Sequence, residues 1–161
     1  MTPKECLENI INKALLIFPE KLRSKEAKAM LLAIGLQESL LTYRKQINGP
    51  ARGLWQFEMN GGVRGVLFHP STKNLANKVC NKYGVIPTKE MVYKELSEND
   101  ELACCFARLL LYTIPDSLPD INSPDKGWKQ YSKQSWNPGD PHRDKWDDNF
   151  KIGWETVNHY D

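Results

Sequence analysis

Ser24–Leu41, SKEAKAMLLAIGLQESLL, decides how the chain reads. Ala27, Met30, Leu31 and Ile34 recur at i, i+3, i+4 and i+7, one face of an α-helix, and Ser24 is a residue type that caps helix starts. Counting on at about 100° per residue, Glu38 falls within about 20° of the centre of that apolar stripe. A carboxylate therefore stands where the pattern asks for a hydrocarbon. Ionised there, it would be poorly solvated, so it must be paired, or its pKa must rise until it keeps a proton near neutrality. An acid in that state suits the protonation of a glycosidic leaving oxygen.

Outward from this helix, helical punctuation recurs. Thr2-Pro3 is a cap followed by a first-turn proline, Leu7, Ile10, Ile11, Ala14 and Leu15 form one face, and Pro19 stops the run. Ser71 precedes a helix carrying Leu75, Val79 and Tyr83 and ended by Gly84. Thr88 caps a short helix through Leu96, and Ser97 with Asp100 resembles a capping box opening Glu98–Tyr112. That segment is apolar nearly all round, which predicts burial; Pro115 closes it. Ser123-Pro124 opens a helix to about Gln134. A last helix from about Asp144 aligns Trp146, Phe150, Trp154 and Val157. The single strand candidate is Gly53–Phe57. The pattern predicts one mainly α domain over residues 1–161, with six to eight helices and at most a small β-hairpin. Tyr43–Gly62 and Ser135–Lys145 are the long loops, where sites tend to sit.

With 40% hydrophobic and 26% charged residues, the 161-residue chain has the composition of an ordinary globular protein. Its net charge of +2, with Lys and Arg scattered, argues against nucleic-acid binding. The longest apolar stretch, Leu102–Tyr112, is interrupted by Arg108 and too short to span a bilayer. Cys6, Cys80, Cys104 and Cys105 lack metal-ligand spacing, and the adjacent pair reads as buried thiols. His69, His142 and His159 have no ligand context. Neither a zinc-protease helix motif, a nucleophile elbow nor a phosphate-binding glycine loop occurs, so no metal and no cofactor is expected. Charges at Lys4, Glu5, Glu8 and Lys13 argue against a signal peptide.

The chemistry concentrates in Gln37-Glu38-Ser39 and, after a loop, Ala51-Arg52-Gly53-Leu54-Trp55-Gln56-Phe57. A helix ending in Glu-Ser, then Ala-x-Gly-Leu-x-Gln, resembles the soluble lytic transglycosylases and the related goose-type lysozymes. Trp55 stands where that family has methionine. The family's C-terminal Ala-Tyr-Asn-Ala-Gly segment has a looser counterpart in Ser135-Trp136-Asn137-Pro138-Gly139. The resemblance covers about Ala27–Phe57 well and Trp128–Trp154 loosely, and leaves Glu58–Pro124 without a motif. It implies a lysozyme-like helical domain that cleaves the β-1,4 bond between MurNAc and GlcNAc in peptidoglycan. Glu38 would be the catalytic acid and then base, with Ser39, Gly53, Leu54, Trp55 and Gln56 building the glycan cleft and Asn137 binding sugar from the opposite wall. It also implies a tyrosine on the acid, for which Tyr131 is the candidate. In this family the substrate's own N-acetyl carbonyl assists, and the muramic 6-hydroxyl attacks to give a 1,6-anhydro product; substrate assistance is a known exception to the two-carboxylate rule.

Alternatives stay open on the residues themselves. Glu38 read structurally is a buried glutamate paired with Arg44 or Arg52. Glu58 lies two residues beyond Gln56; were Gly53–Glu58 extended, the two would share a face, and Glu58 could activate water for a hydrolytic muramidase. A carboxylate separation of about 6.5–9.5 Å would favour inversion and about 5–5.5 Å retention. Glu58 is otherwise a loop residue or a partner of Arg64. Trp55 and Trp136, in loops beside the motifs, are candidates for stacking on sugar faces; Trp146 and Trp154 read as core.

The expected partners are peptidoglycan glycan strands and, by analogy with small phage lysins, other virion or tail proteins; neither nucleic acid nor membrane insertion is expected. The expected location is a phage virion, or the host cytoplasm before release, with action on the bacterial wall. The rivals are a non-catalytic virion structural or glycan-binding protein on the same fold, and a chitinase-like glycosidase.

Overall fold

In the computed structural model, which describes residues 1–161, eight helices account for most of the chain and no β-sheet forms. They are α1 (residues 3–17), α2 (Lys25–Ser39), α3 (residues 59–68), α4 (Lys73–Lys82), α5 (Lys89–Glu95), α6 (Asp100–Tyr112), α7 (Pro124–Ser132) and α8 (Arg143–Tyr160). The mainly α reading holds. The helix starts follow local chemistry. Thr2 and Glu5 exchange the two hydrogen bonds of a capping box (3.0 and 3.1 Å), and the Ser24 hydroxyl accepts from the Ala27 N–H at 3.2 Å. Helix α6 starts two residues later than predicted. Asn99, not Ser97, caps it by accepting from the Leu102 N–H at 2.9 Å. Asp100 instead turns outward to Arg44.

Helix α2 is not the one-sided amphipathic helix that its stripe suggests. Every residue from Ala29 to Gly35 is buried, because α8 covers the face opposite the stripe. The two helices approach through small residues: a Cβ on Gly153 would lie 2.5 Å from the Ala29 carbonyl oxygen. Helix α6 is buried from Leu102 to Leu111, as its all-round apolar pattern predicts, and Arg108 is buried with it. Forty-one buried apolar side chains form one contiguous cluster, drawn from both ends of the chain. Trp146 and Trp154 belong to it, and all four cysteines are buried free thiols. No helix is long and apolar enough to cross a membrane.

The predicted strand at Gly53–Phe57 does not form. Gly53 has φ +80° and Gln56 φ +52°, so the segment is a turn. The hairpin shrinks to isolated antiparallel bridges, Lys45 with Arg52 and Arg52 with Phe57. The premise that put Gln56 and Glu58 on one face of a strand is thereby removed.

Candidate functional site

Glu38 occupies the last turn of α2, and the helix ends at Ser39 because Leu40 adopts the left-handed conformation (φ 56°, ψ 25°). Leu41 follows at φ 52°, and its N–H returns to the Gly35 carbonyl at 3.3 Å. Left-handed backbone costs an L-residue roughly 1–2 kcal/mol. Five non-glycine residues carry it: Leu40, Leu41, Asn48, Gln56 and Asn137. Two of them directly follow the Glu38 turn, and Gln56 and Asn137 are site candidates on the sequence. Such clustering is typical of segments held for a purpose other than stability.

The carboxyl is half-buried and has no cation beside it. Arg44 is committed to Asp100 through a two-pronged contact, 2.8 Å on each prong, and Arg52 donates to the Gly49 and Ala51 carbonyls. The ion-pair reading of Glu38 thus has no partner. What faces it is the Tyr131 hydroxyl, which donates to Glu38 Oε2. Burial pushes the Glu38 pKa above its usual value, and the Tyr131 hydrogen bond pulls part of that back. The Tyr131 hydroxyl is itself pushed up, by burial first and by the neighbouring carboxyl second. Tyr131 lies flat against Trp146, ring centroids 5.2 Å apart and planes within 2°. The Trp146 indole in turn donates to the Pro124 carbonyl at 2.8 Å. The base of the helix end is clamped too: the Gln37 amide donates to the His142 carbonyl (2.9 Å) and accepts from Asn149 Nδ2 (2.8 Å), fixing α2 to α8 one residue before the acid.

Four of the sequence-selected cleft residues are too deeply buried to touch a sugar. Ser39 is 3% exposed, Leu54 0% and Trp55 1%, and Gly53 is buried as well. Their work is positional. The Ser39 hydroxyl lies 2.6 Å from the Leu54 carbonyl oxygen, tying the motif loop to the helix end. Trp55 turns inward, away from the expected cleft, and its indole N–H donates to the Leu31 carbonyl at 2.8 Å. Gly35 makes room for the Leu41 side chain beside it, whose methyl a Cβ there would meet at 2.5 Å. Gly53 needs its positive φ, and a Cβ on it would crowd the Leu96 carbonyl at 3.1 Å. Gln56 is half-buried and its amide N–H bonds back to the Gly53 carbonyl at 2.9 Å, which leaves Oε1 free to accept a hydrogen bond.

Trp136, Asn137 and Glu58 do meet at an open space. A cleft of about 730 Å³ is bordered by these three with Pro50, Met59 and Tyr93. The Trp136 indole donates to the Trp55 carbonyl at 2.7 Å and its ring packs edge-on to Phe57. Asn137, held at φ 48°, has its amide 2.7 Å from the Lys133 carbonyl when oriented to donate. Glu58 is exposed at this rim, and neither Arg64 nor any other cation pairs with it. Glu38 is not among the residues bordering the cleft; it connects to it through Tyr131, whose ring lies 6.1 Å from Trp136.

Compared with protein-family models, with curated proteins and with solved structures, the chain finds no match in any of the three. The chemistry of the site therefore rests on its geometry and on the motif resemblance. The supports that reading the sequence missed are Gln37, Arg44 and Trp146. Arg44 carries two of them at once: its side chain grips Asp100 while its carbonyl accepts from the Gly53 N–H at 2.7 Å. None has a local signature, because each acts on a partner far along the chain.

Proposed function

We propose that the protein cleaves the glycan backbone of peptidoglycan at the MurNAc–GlcNAc β-1,4 bond, as a lytic transglycosylase. The observation that supports this reading best is the state of Glu38: a half-buried carboxyl without a cation, held by a tyrosine hydroxyl and with its pKa raised. In the proposed reaction the Glu38 proton goes to the leaving oxygen as its bond to the muramic C1 breaks. The substrate's N-acetyl carbonyl shields the electron-poor carbon. The muramic 6-hydroxyl then bonds to C1 and gives its proton to Glu38, which restores the acid. Gln56 Oε1 and Asn137 would hold sugar N–H and O–H groups, and Trp136 would present its ring to a sugar face.

Hydrolysis is the second reading, favoured by the exposed Glu58 carboxylate on the cleft that Trp136 and Asn137 share. There Glu58 would activate water in place of the internal hydroxyl. Incubation with purified cell walls, followed by mass analysis of the released sugars, tests both. Anhydromuropeptides are expected; reducing-end muropeptides would assign the hydrolytic route. Binding without product would overturn catalysis and leave a glycan-binding protein. Glu38→Gln is expected to lower turbidity clearance of cell walls by about 10²–10⁴-fold with the fold intact.

A further inference from the structure

A larger cavity lies elsewhere. About 930 Å³ in volume, it opens between the start of α2, the C-terminal turns of α6 and the 113–126 connection. Ser24 lies on its wall, and Glu38 is fourteen positions further along the same helix, about 20 Å at 1.5 Å per residue. The two sites are separate.

Arg108 is the unusual member of this wall. It is 4% exposed, yet no carboxylate forms an ion pair with it. Its Nε donates to the Leu22 carbonyl at 2.7 Å, its guanidinium carbon lies 5.9 Å from the centre of the Tyr112 ring, and its Nη1 has no hydrogen-bond partner. Burial pulls its pKa down to about 10, so it remains charged at neutral pH. A buried cation with unused donors is costly unless something supplies the missing acceptor. With Nε taken and Nη1 shut away from solvent, Nη2 is the donor left for a ligand, and a charge-assisted hydrogen bond from it suits a carboxylate oxygen.

The rest of the wall says which oxyanion. Lys21, Lys126 and Arg108 are balanced by Glu26, Asp116 and Asp120. A dianion such as phosphate would meet as much repulsion as attraction. A monocarboxylate with a neutral or cationic remainder fits better, since Glu26 and Asp116 are free of ion pairs. We propose that this cavity binds the carboxylate of an amino acid or of a peptide C-terminus, with the Arg108 guanidinium as its seat and the acidic wall facing the ligand's ammonium end. The proposal is independent of the glycan-cleaving reading.

The test is a titration of the ¹⁵N-labelled protein, followed by amide and Arg108 Nε–H resonances, with glycylglycine, glycylglycine amide, acetate and inorganic phosphate. Glycylglycine is expected to give saturable shifts confined to the cavity wall and to Arg108 Nε–H, and acetate the same shifts at higher concentration. The amide, which lacks the acid, is expected to give none. Arg108→Met should abolish the shifts, and Arg108→Lys, which keeps the charge but not the position of the Nη2 donor, should weaken binding about tenfold or more. Equal effects of acid and amide, tighter binding of phosphate than of glycylglycine, or no saturable shift overturns the proposal. Should Arg108→Met fail to fold, the wild-type comparison of acid with amide decides.

Discussion

Helices α2 and α6 are both buried nearly all round, and each carries an acid or a base within its apolar pattern. Their fates differ. Glu38 sits in the last turn of α2, half-buried, with a hydroxyl to share its proton. Arg108 sits inside α6, 4% exposed, with one backbone carbonyl and otherwise unused donors. Burial moves the two pKa values in opposite directions, both toward the neutral form. For Glu38 that shift goes toward neutrality, where an acid is useful. For Arg108 it stops at about 10 and leaves a charge in need of an anion. A charge inside an apolar pattern is therefore a pointer to function only once its partner and the direction of its shift are known.

The comparison breaks most readily at the support of the acid. Trp146→Ala removes the ring stacked on Tyr131 and opens a cavity in the core. It is expected to cost about 3–5 kcal/mol in urea unfolding and to lower activity through loss of the Tyr131 position. Ser39→Ala leaves the buried Leu54 carbonyl without its hydroxyl and should cost about 1–3 kcal/mol in the same measurement.

Arg108→Met is expected to go the other way. Moving a base from its ordinary pKa of 12.5 to about 10 costs the folded state about 3 kcal/mol below pH 10. The lost bond to Leu22 returns about 1–3 kcal/mol of that. The variant should thus be as stable as the wild type or up to about 2 kcal/mol more stable at pH 7. A large destabilisation would mean that an internal partner satisfies the guanidinium.

The smallest effect concerns Glu38 and pH. An acid whose folded pKa is raised destabilises the fold only once ionised: the penalty is absent below the unfolded value and complete above the folded one. Glu38→Gln is therefore expected to raise the melting temperature at pH 7 and to leave it unchanged at pH 4. A gain of equal size at both pH values would place the effect in packing instead of charge.

Much of this was legible in the chain. Thr2, Ser24 and Thr88 announce their helices because a cap bonds within its own turn. The burial of α6 follows from its apolar circumference. The motif loop misled because a short apolar run after glycine reads equally as strand or turn. The left-handed backbone at Gly53 and Gln56, which makes it a turn, depends on contacts with Leu96 and Arg44. Trp55 misled for a similar reason: loop position carries no information on burial, and its indole bonds to Leu31, a residue far back along the chain. Tyr131 was visible through the family resemblance alone. Arg108 looked like an interruption of an apolar run, since neither its missing partner nor its cavity has a sequence signature.

The most direct test of the central claim is a ¹³C NMR titration of the Glu38 carboxyl, in the wild type and in Tyr131→Phe. Glu38 is expected to titrate above the ordinary glutamate value of 4.5, and higher still once the tyrosine hydroxyl is gone. Titration at or below the ordinary value, unchanged by Tyr131→Phe, would contradict the assignment of Glu38 as the acid.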